Sequence, residues 1–310
     1  MAAVSAAYGR DLEQCLRQIE ATIVKARRRG TELVVFPEAA LGGYLWEPAV
    51  AGKERSGVVD RVDAGPRCRP RSSVPGPPLL HRDGPEIAHL IAAAGPTVVC
   101  VGYSELGPRG PYASAVCLNG DGVLGHHRKV HVPPGEQSTY VPGDGFAVFE
   151  TPLGRMGMLI CYDKVFPEAA RELSLDGAGI IASLSAWPVC RHNPASYVGR
   201  DRQVRQFNLL DQARAVENQV VWVSANQTGR FGRLRFAGQS KIVDPDGKVL
   251  AATGARSGLA TARVDLKHVV STARSELSHL GARVPAAYRI PTSAGVEPIA
   301  APGGHVAAMA

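Results

Sequence analysis

The chain has 310 residues, 45% apolar in the broad count and 20% charged; a chain this long buries roughly three-quarters of the surface its unfolded form exposes, which excludes a disordered polypeptide or a disulfide-dependent miniature fold. Its 34 glycines and 23 prolines call for many short elements and turns, and exclude a coiled coil or helical bundle. The net charge of +7 comes mostly from arginines in short scattered groups, such as Arg27 to Arg29 and Arg67, Arg69 and Arg71, without the aromatic-interleaved basic stripe or finger signature of a nucleic-acid binder.

From Asp11 to Arg29, apolar residues at Leu12, Cys15, Leu16, Ile19, Ile23 and Ala26 have helical spacing with one buried face. Gly30 stops that helix, with cations in its last turn where they favour the dipole. LVVF at residues 33–36 is a short buried strand that delivers Glu38 to the rim of a sheet, where open α/β folds keep their ligands. Residues 48–86, with GPRCRPRSSVPGPPLL at their centre, read as a long loop. A strand follows at Thr97 to Glu105, then a hairpin, ASAVCL and VLGHHRK across NGDG, and a second, FAVFE and RMGMLICYD across TPLG.

Beyond Cys161 the pattern predicts a helix over 167–176, a buried strand over 179–185, a helix over 200–217 with Val204, Phe207, Leu210, Ala213 and Val216 on one stripe, and a strand over 220–226. Strand candidates follow at GQSKIVD, GKVLAAT and GLATARVD; after about Pro291 the Ala-, Gly- and Pro-rich sequence reads as a tail. The alternation of strands and helices, joined partly by hairpins, predicts a layered α/β domain on a mixed sheet. Six cysteines without a CxxC pair fit a reducing compartment. The N-terminus lacks a signal-peptide pattern, and no run of about 18 apolar residues occurs. A soluble cytoplasmic protein is expected.

Three reactive side chains stand at the ends of apolar strands: Glu38, Lys129 within HHRKVHVPPGE, and Cys161 within GMLICYD. Taken singly, each has an ordinary reading: a capping carboxylate, a solvated edge-strand lysine and a buried structural cysteine. The neighbouring His126, His127 and His131 lack the pattern of a metal site, so no metal is expected. Together the three are complementary, since a thiol becomes a nucleophile when a base takes its proton and a cation favours the thiolate.

FPEAALGGY (36–44), HRKVHVPPGEQSTYVPGDG (127–145) and GRMGMLICYDKVFPEAARELSLDGAGIIASLSAWP (154–188) resemble the three signature blocks of the carbon–nitrogen hydrolase family, the nitrilase superfamily, in order and spacing. DQARAVENQVVWVSANQTG (211–229) resembles the helix–strand unit that follows. The likeness covers roughly residues 4–270, with 48–90 poorly matched. It implies a four-layer αββα sandwich in a single domain over residues 1–275, with residues 276–310 as an extension or tail. It also implies a Glu38, Lys129 and Cys161 triad and a second carboxylate matched by Glu136.

Further site candidates are Tyr162, whose N–H would stabilise an oxyanion; Asp163, at the substrate or as a cap of the following turn; and Trp187, Tyr44 and Trp46, in a substrate pocket or as ordinary core aromatics. No organic cofactor is needed. The expected function is hydrolysis of a small amide through a cysteine thioester. CYD at 161–163 resembles the amidase and carbamoylase branches, whereas nitrilases usually carry Cys-Trp-Glu. N-carbamoyl hydrolysis and nitrile hydrolysis come next, then an acyltransferase or a catalytically silent binding protein of the same fold. Family habit implies a homodimer or higher homo-oligomer.

Overall fold

The computed structural model describes residues 1–45 and 76–288. In chain order the elements are β1 (Ala2–Ala6), α1 (Leu12–Arg27), β2 (Leu33–Val35), α2 (Pro85–Ala94), β3 (Val98–Gly107), β4 (Gly110–Asn119), β5 (Gly122–Arg128), β6 (Val148–Phe149) and β7 (Met156–Ile160). They continue with α3 (Pro167–Leu175), β8 (Ile180–Ser185), α4 (Arg202–Asn218), β9 (Val221–Phe231), β10 (Leu234–Ala237), β11 (Lys241–Val243), β12 (Val249–Ala252), β13 (Gly258–Thr261) and α5 (Leu266–Glu276).

The strands form one hydrogen-bonded mixed sheet in the order β5-β4-β3-β2-β1-β9-β8-β7-β6, folded so that its two halves face each other. The two-residue period of a strand sends alternate side chains to opposite faces, and the buried clusters follow it. Leu33 and Val35 of β2 point inward with Cys100 and Cys117, meeting Met156, Met158, Ile160, Ala182 and Val223 from the other half. Val34, between them, points outward onto Ile19 and Ile23 of α1 and Ile87 and Leu90 of α2. On the far side Leu159, Ile181 and Trp222 meet Ala169 and Leu173 of α3 and Ala215 of α4. This is the expected αββα sandwich, with an apolar core between the two sheet layers.

Asp11 caps α1, accepting from the Gln14 N–H at 2.9 Å, and Arg27 in its last turn donates to the Ala93 carbonyl at 2.8 Å. Both predicted hairpins form, β4 with β5 and β6 with β7. Four elements escape the sequence reading. β1 is a fully buried AAVSA segment. Helix α2 starts at the very end of the stretch read as loop and runs on beyond it unread, although Pro85 at its first turn is a start signal. β10 is a four-residue strand, and α5 buries only Ala273 fully.

The predicted stripe of α4 is corrected: Leu210, Ala213 and Val216 are only half-buried, and the buried face runs Val204, Phe207, Asp211, Arg214, Ala215 and Asn218. Trp46, Cys68 and the arginines at 67, 69 and 71 fall outside the described residues, as does most of the expected tail. No described helix is long and apolar enough to cross a membrane.

Candidate active site

The site collects at the C-terminal ends of β2, β5, β7 and β8. Glu38 follows β2 after Phe36 and Pro37, and the chain there is bound to β3 on both sides: Phe36 N–H donates to the Cys100 carbonyl at 2.8 Å and Leu41 N–H to the Gly102 carbonyl at 3.1 Å. Gly102 is a close approach, since a Cβ there would lie 2.7 Å from the Glu38 Cα. Gln227 donates to the Glu38 carbonyl at 2.9 Å. Lys129 is the residue after β5, fixed by its N–H to the Ala113 carbonyl at 2.8 Å. Cys161 opens the short 3-10 turn after β7 and has a left-handed backbone, φ 49°.

These elements bring the separate candidates into contact. Lys129 Nζ donates to Glu38 Oε1 at 2.8 Å and to both Glu136 oxygens at 2.8 and 3.0 Å. The other Glu38 oxygen accepts from the Ala186 N–H at 2.8 Å, and Cys161 lies near enough to feel the charges of Glu38 and Lys129. All four side chains are nearly inaccessible to solvent.

Burial pushes the Cys161 thiol well above its usual pKa, Glu38 adds to the rise, and Lys129 opposes it. Burial likewise raises the Glu38 carboxyl against the pull of Lys129. For Lys129, burial would favour the neutral amine, but Glu38 and Glu136 more than reverse this and hold it as a cation. The thiol is therefore neutral at rest, beside a carboxylate that can take its proton and a fixed ammonium that can face developing negative charge.

Cys161 and Glu136 open onto a cavity of about 360 Å³ lined also by Tyr44, Tyr162, Ala186, Trp187, Arg191 and Gln203. The Tyr44 hydroxyl donates a short hydrogen bond to Glu136 Oε1. Trp187 is held by its N–H to Asn226 Oδ1 at 2.7 Å and its indole N–H to the Gln203 carbonyl at 3.1 Å. Tyr44, Tyr162 and Trp187 thus lie where a substrate could meet them.

Asp163 does not. It is fully buried away from the cavity, its Oδ2 bonded to His127 Nε2 at 2.9 Å and the Ile160 N–H at 3.1 Å, its Oδ1 to the His131 N–H and Nδ1 at 2.8 and 3.0 Å. The expected substrate contact is replaced by the alternative reading, a carboxylate that fixes the turn after β7. The same bonds, with His126 against Glu105 at 2.9 Å, account for all three histidines of the 126–131 run.

Sequence reasoning missed Asn226, Gln227, Ala186, Arg191 and Gln203. Asn226 and Gln227 did carry a signal, two amides inside an otherwise apolar strand, which are costly when buried unless bonded.

The sequence profile described as carbon–nitrogen hydrolase matches residues 1–274. Among curated relatives, the chain is 31% identical to a nitrilase of Pyrococcus abyssi over 251 residues, covering 80% of this chain and 82% of that one. It is 29% identical to the N-carbamoylputrescine amidase of Solanum lycopersicum over 286 residues, 87% of each, and 31% identical to an (R)-stereoselective amidase of a Pseudomonas species over 243 residues, 77% of this chain and 72% of that one. In fold it is similar to the carbon–nitrogen hydrolase of Helicobacter pylori G27, with a TM-score of 0.74 at 22% identity over 93% of this chain and 96% of that one. A mutant of the Nesterenkonia AN1 amidase gives a TM-score of 0.63 at 22% identity over 89% and 94%.

Proposed function

This chain belongs to the carbon–nitrogen hydrolase family, and we propose that it is an amidase that releases ammonia from a small carboxamide through a thioester on Cys161. The observation that carries the reading is the buried set in which Lys129 bonds both Glu38 and Glu136 beside Cys161, with Cys161 and Glu136 opening onto one cavity. Glu38 takes the thiol proton as the sulfur attacks the carboxamide carbon. Lys129 and the Tyr162 N–H stabilise the oxyanion, each such donor being worth about 10²- to 10³-fold in rate. Glu38 then gives the proton to the departing ammonia as the C–N bond breaks, and afterwards takes one from the water that hydrolyses the thioester. Glu136 holds Lys129 from the opposite side and, with Tyr44, borders the substrate.

N-carbamoyl compounds and nitriles present an electrophilic carbon to the same thiol and are the next substrates to try. A panel of small amides, ureido acids and nitriles scored by ammonia release decides among them. Cys161→Ala is expected to abolish release while keeping the fold by circular dichroism; an alanine variant that still releases ammonia would falsify the mechanism. Self-association and a cytoplasmic location belong to the same proposal, the first open to test by light scattering.

A further inference from the structure

Behind the Trp187 wall of the cavity lies a charge cluster that the proposed chemistry does not use. Asp211 of α4 accepts from Lys164 Nζ through Oδ1 and from Lys241 Nζ of β11 through Oδ2, both at 2.7 Å, and from the Trp222 indole N–H at 2.9 Å. The Lys164 and Asp211 side chains are wholly buried and that of Lys241 nearly so. One carboxylate thus serves two ammonium groups, and no other ion pair to either lysine occurs among the described residues.

Their excess charge is met by aromatic faces: Lys164 Nζ lies 3.3 Å from the Phe207 ring centroid and 5.4 Å from that of Trp187, and Lys241 Nζ lies 4.2 Å from Phe207. An unbalanced buried charge is costly, and apolar side chains of similar volume commonly replace such groups without loss. Stability alone therefore does not account for the second lysine.

The cluster does have an electrostatic consequence at the cavity. Glu38, Glu136 and Lys129 make the reacting end formally −1, whereas Lys164, Lys241 and Asp211 make the far side of Trp187 formally +1. We infer that this buried cluster is a specificity determinant: it selects amides whose acyl tail ends in an anionic group, drawn to the Trp187 wall and away from the two glutamates, and it rejects cationic tails. The inference rests on the amidase reading for the placement of the amide at Cys161, and it names the substrate class of that site.

The groups facing Lys164 are Asp211 from α4, Lys241 from β11 and Cys161 of its own turn. Burial first, then Lys241, lowers its pKa to about 8, while Asp211 and Cys161 oppose the fall. The preference should accordingly weaken as the pH rises past that value.

The test is calorimetric binding of three matched amides, succinamate, butyramide and 3-aminopropanamide, to the full chain carrying Cys161→Ala at pH 7. Succinamate should bind tightest and 3-aminopropanamide weakest. Adding Lys241→Met, which leaves Lys164 paired with Asp211, should cut the succinamate-to-butyramide affinity ratio roughly tenfold, the effect of one unit charge acting across about 10 Å of protein interior. Lys164→Met is the second variant, with the same expected fall and no weakening of the ratio above pH 8. Equal affinities, a preference for the cationic amide, binding of none of the three, or an unchanged ratio in the folded variants overturns the inference. Wild-type ammonia release is measured separately: a preserved binding ratio without turnover of any amide rejects the amidase reading and leaves the charge selection standing.

Discussion

Cys161 holds a backbone conformation that a residue with a Cβ adopts only at a cost of about 1–3 kcal/mol, and its neighbours explain how it is kept there. Asp163, two residues on, anchors the turn through Ile160 and His131 N–H groups, while Arg214 donates to the Lys164 and Val165 carbonyls at 2.9 Å each. The thiol is thereby presented to Glu38, whose raised pKa has a readable consequence. A base works only when deprotonated, so kcat/KM should fall on the acid side with a midpoint above the ordinary carboxylate value. Glu38→Gln should cost about 10²- to 10⁴-fold in ammonia release and erase that acid limb; a variant that keeps the wild-type limb assigns it to another group. Glu38, Lys129 and Cys161 stood out because each interrupts a strand end with a reactive group, but singly each had an ordinary reading and only the likeness of the three ordered blocks joined them. Asp163 was not legible, since the sequence does not say which side of a turn a carboxylate faces, and two histidines 32 and 36 residues away decide it.

At the scale of elements, the site depends on β2 and β3 lying close enough for the Glu38 turn to rest against Gly102. Gly102→Ala would force its Cβ against backbone, 2.8 Å from the Ala39 nitrogen and 2.9 Å from the Pro37 carbonyl oxygen, and backbone cannot rotate aside as a side chain can. A loss of about 1–3 kcal/mol is expected from such overpacking, with a larger proportional fall in ammonia release than in folded fraction, because the displaced atoms carry Glu38. Urea denaturation beside activity at matched folded fraction checks this; a destabilised variant with full specific activity shows that the contact is structural only. Most strands were legible as apolar runs between turn residues. Helix α4 was misread in its face because a 3.6-residue count of apolar positions passes over Asp211, Arg214 and Asn218, which are buried but bonded. Helix α5 does carry a stripe at helical spacing, Leu266, Val269, Val270 and Ala273, the first three packed on the core, which the sequence reading passed over, and α2 was hidden by the proline- and glycine-rich sequence before it.

For the whole molecule, the +7 charge conceals that some of its most consequential charges are internal. Two buried arrangements both make stability rise with pH, in different windows and for opposite reasons. Glu105, bonded by His126, Arg128 and Ser114, and Asp163 are both held well below the ordinary carboxylate range, those bonds outweighing the opposing effect of burial. Each adds stability that is present in full above its unfolded value and lost as the pH falls toward its folded one. Lys164 raises stability with pH as well, but at alkaline pH and because burial disfavours its charged form in the fold. Its folded pKa, about 8, lies below the ordinary 10.5, so between these values the unfolded chain binds more protons and stability rises with pH. Carried through that window, the rise from this one group is of order 3 kcal/mol. Lys164→Met keeps the Lys241 pair with Asp211 and removes the third buried charge, so it should leave stability at pH 7 unchanged or higher. It should also flatten the rise between pH 8 and 10. Thermal unfolding of both proteins across that range measures the difference, and a variant that melts lower at pH 7 yet keeps the alkaline rise shows that Lys164 is a net stabilising ion pair whose titration does not set the slope.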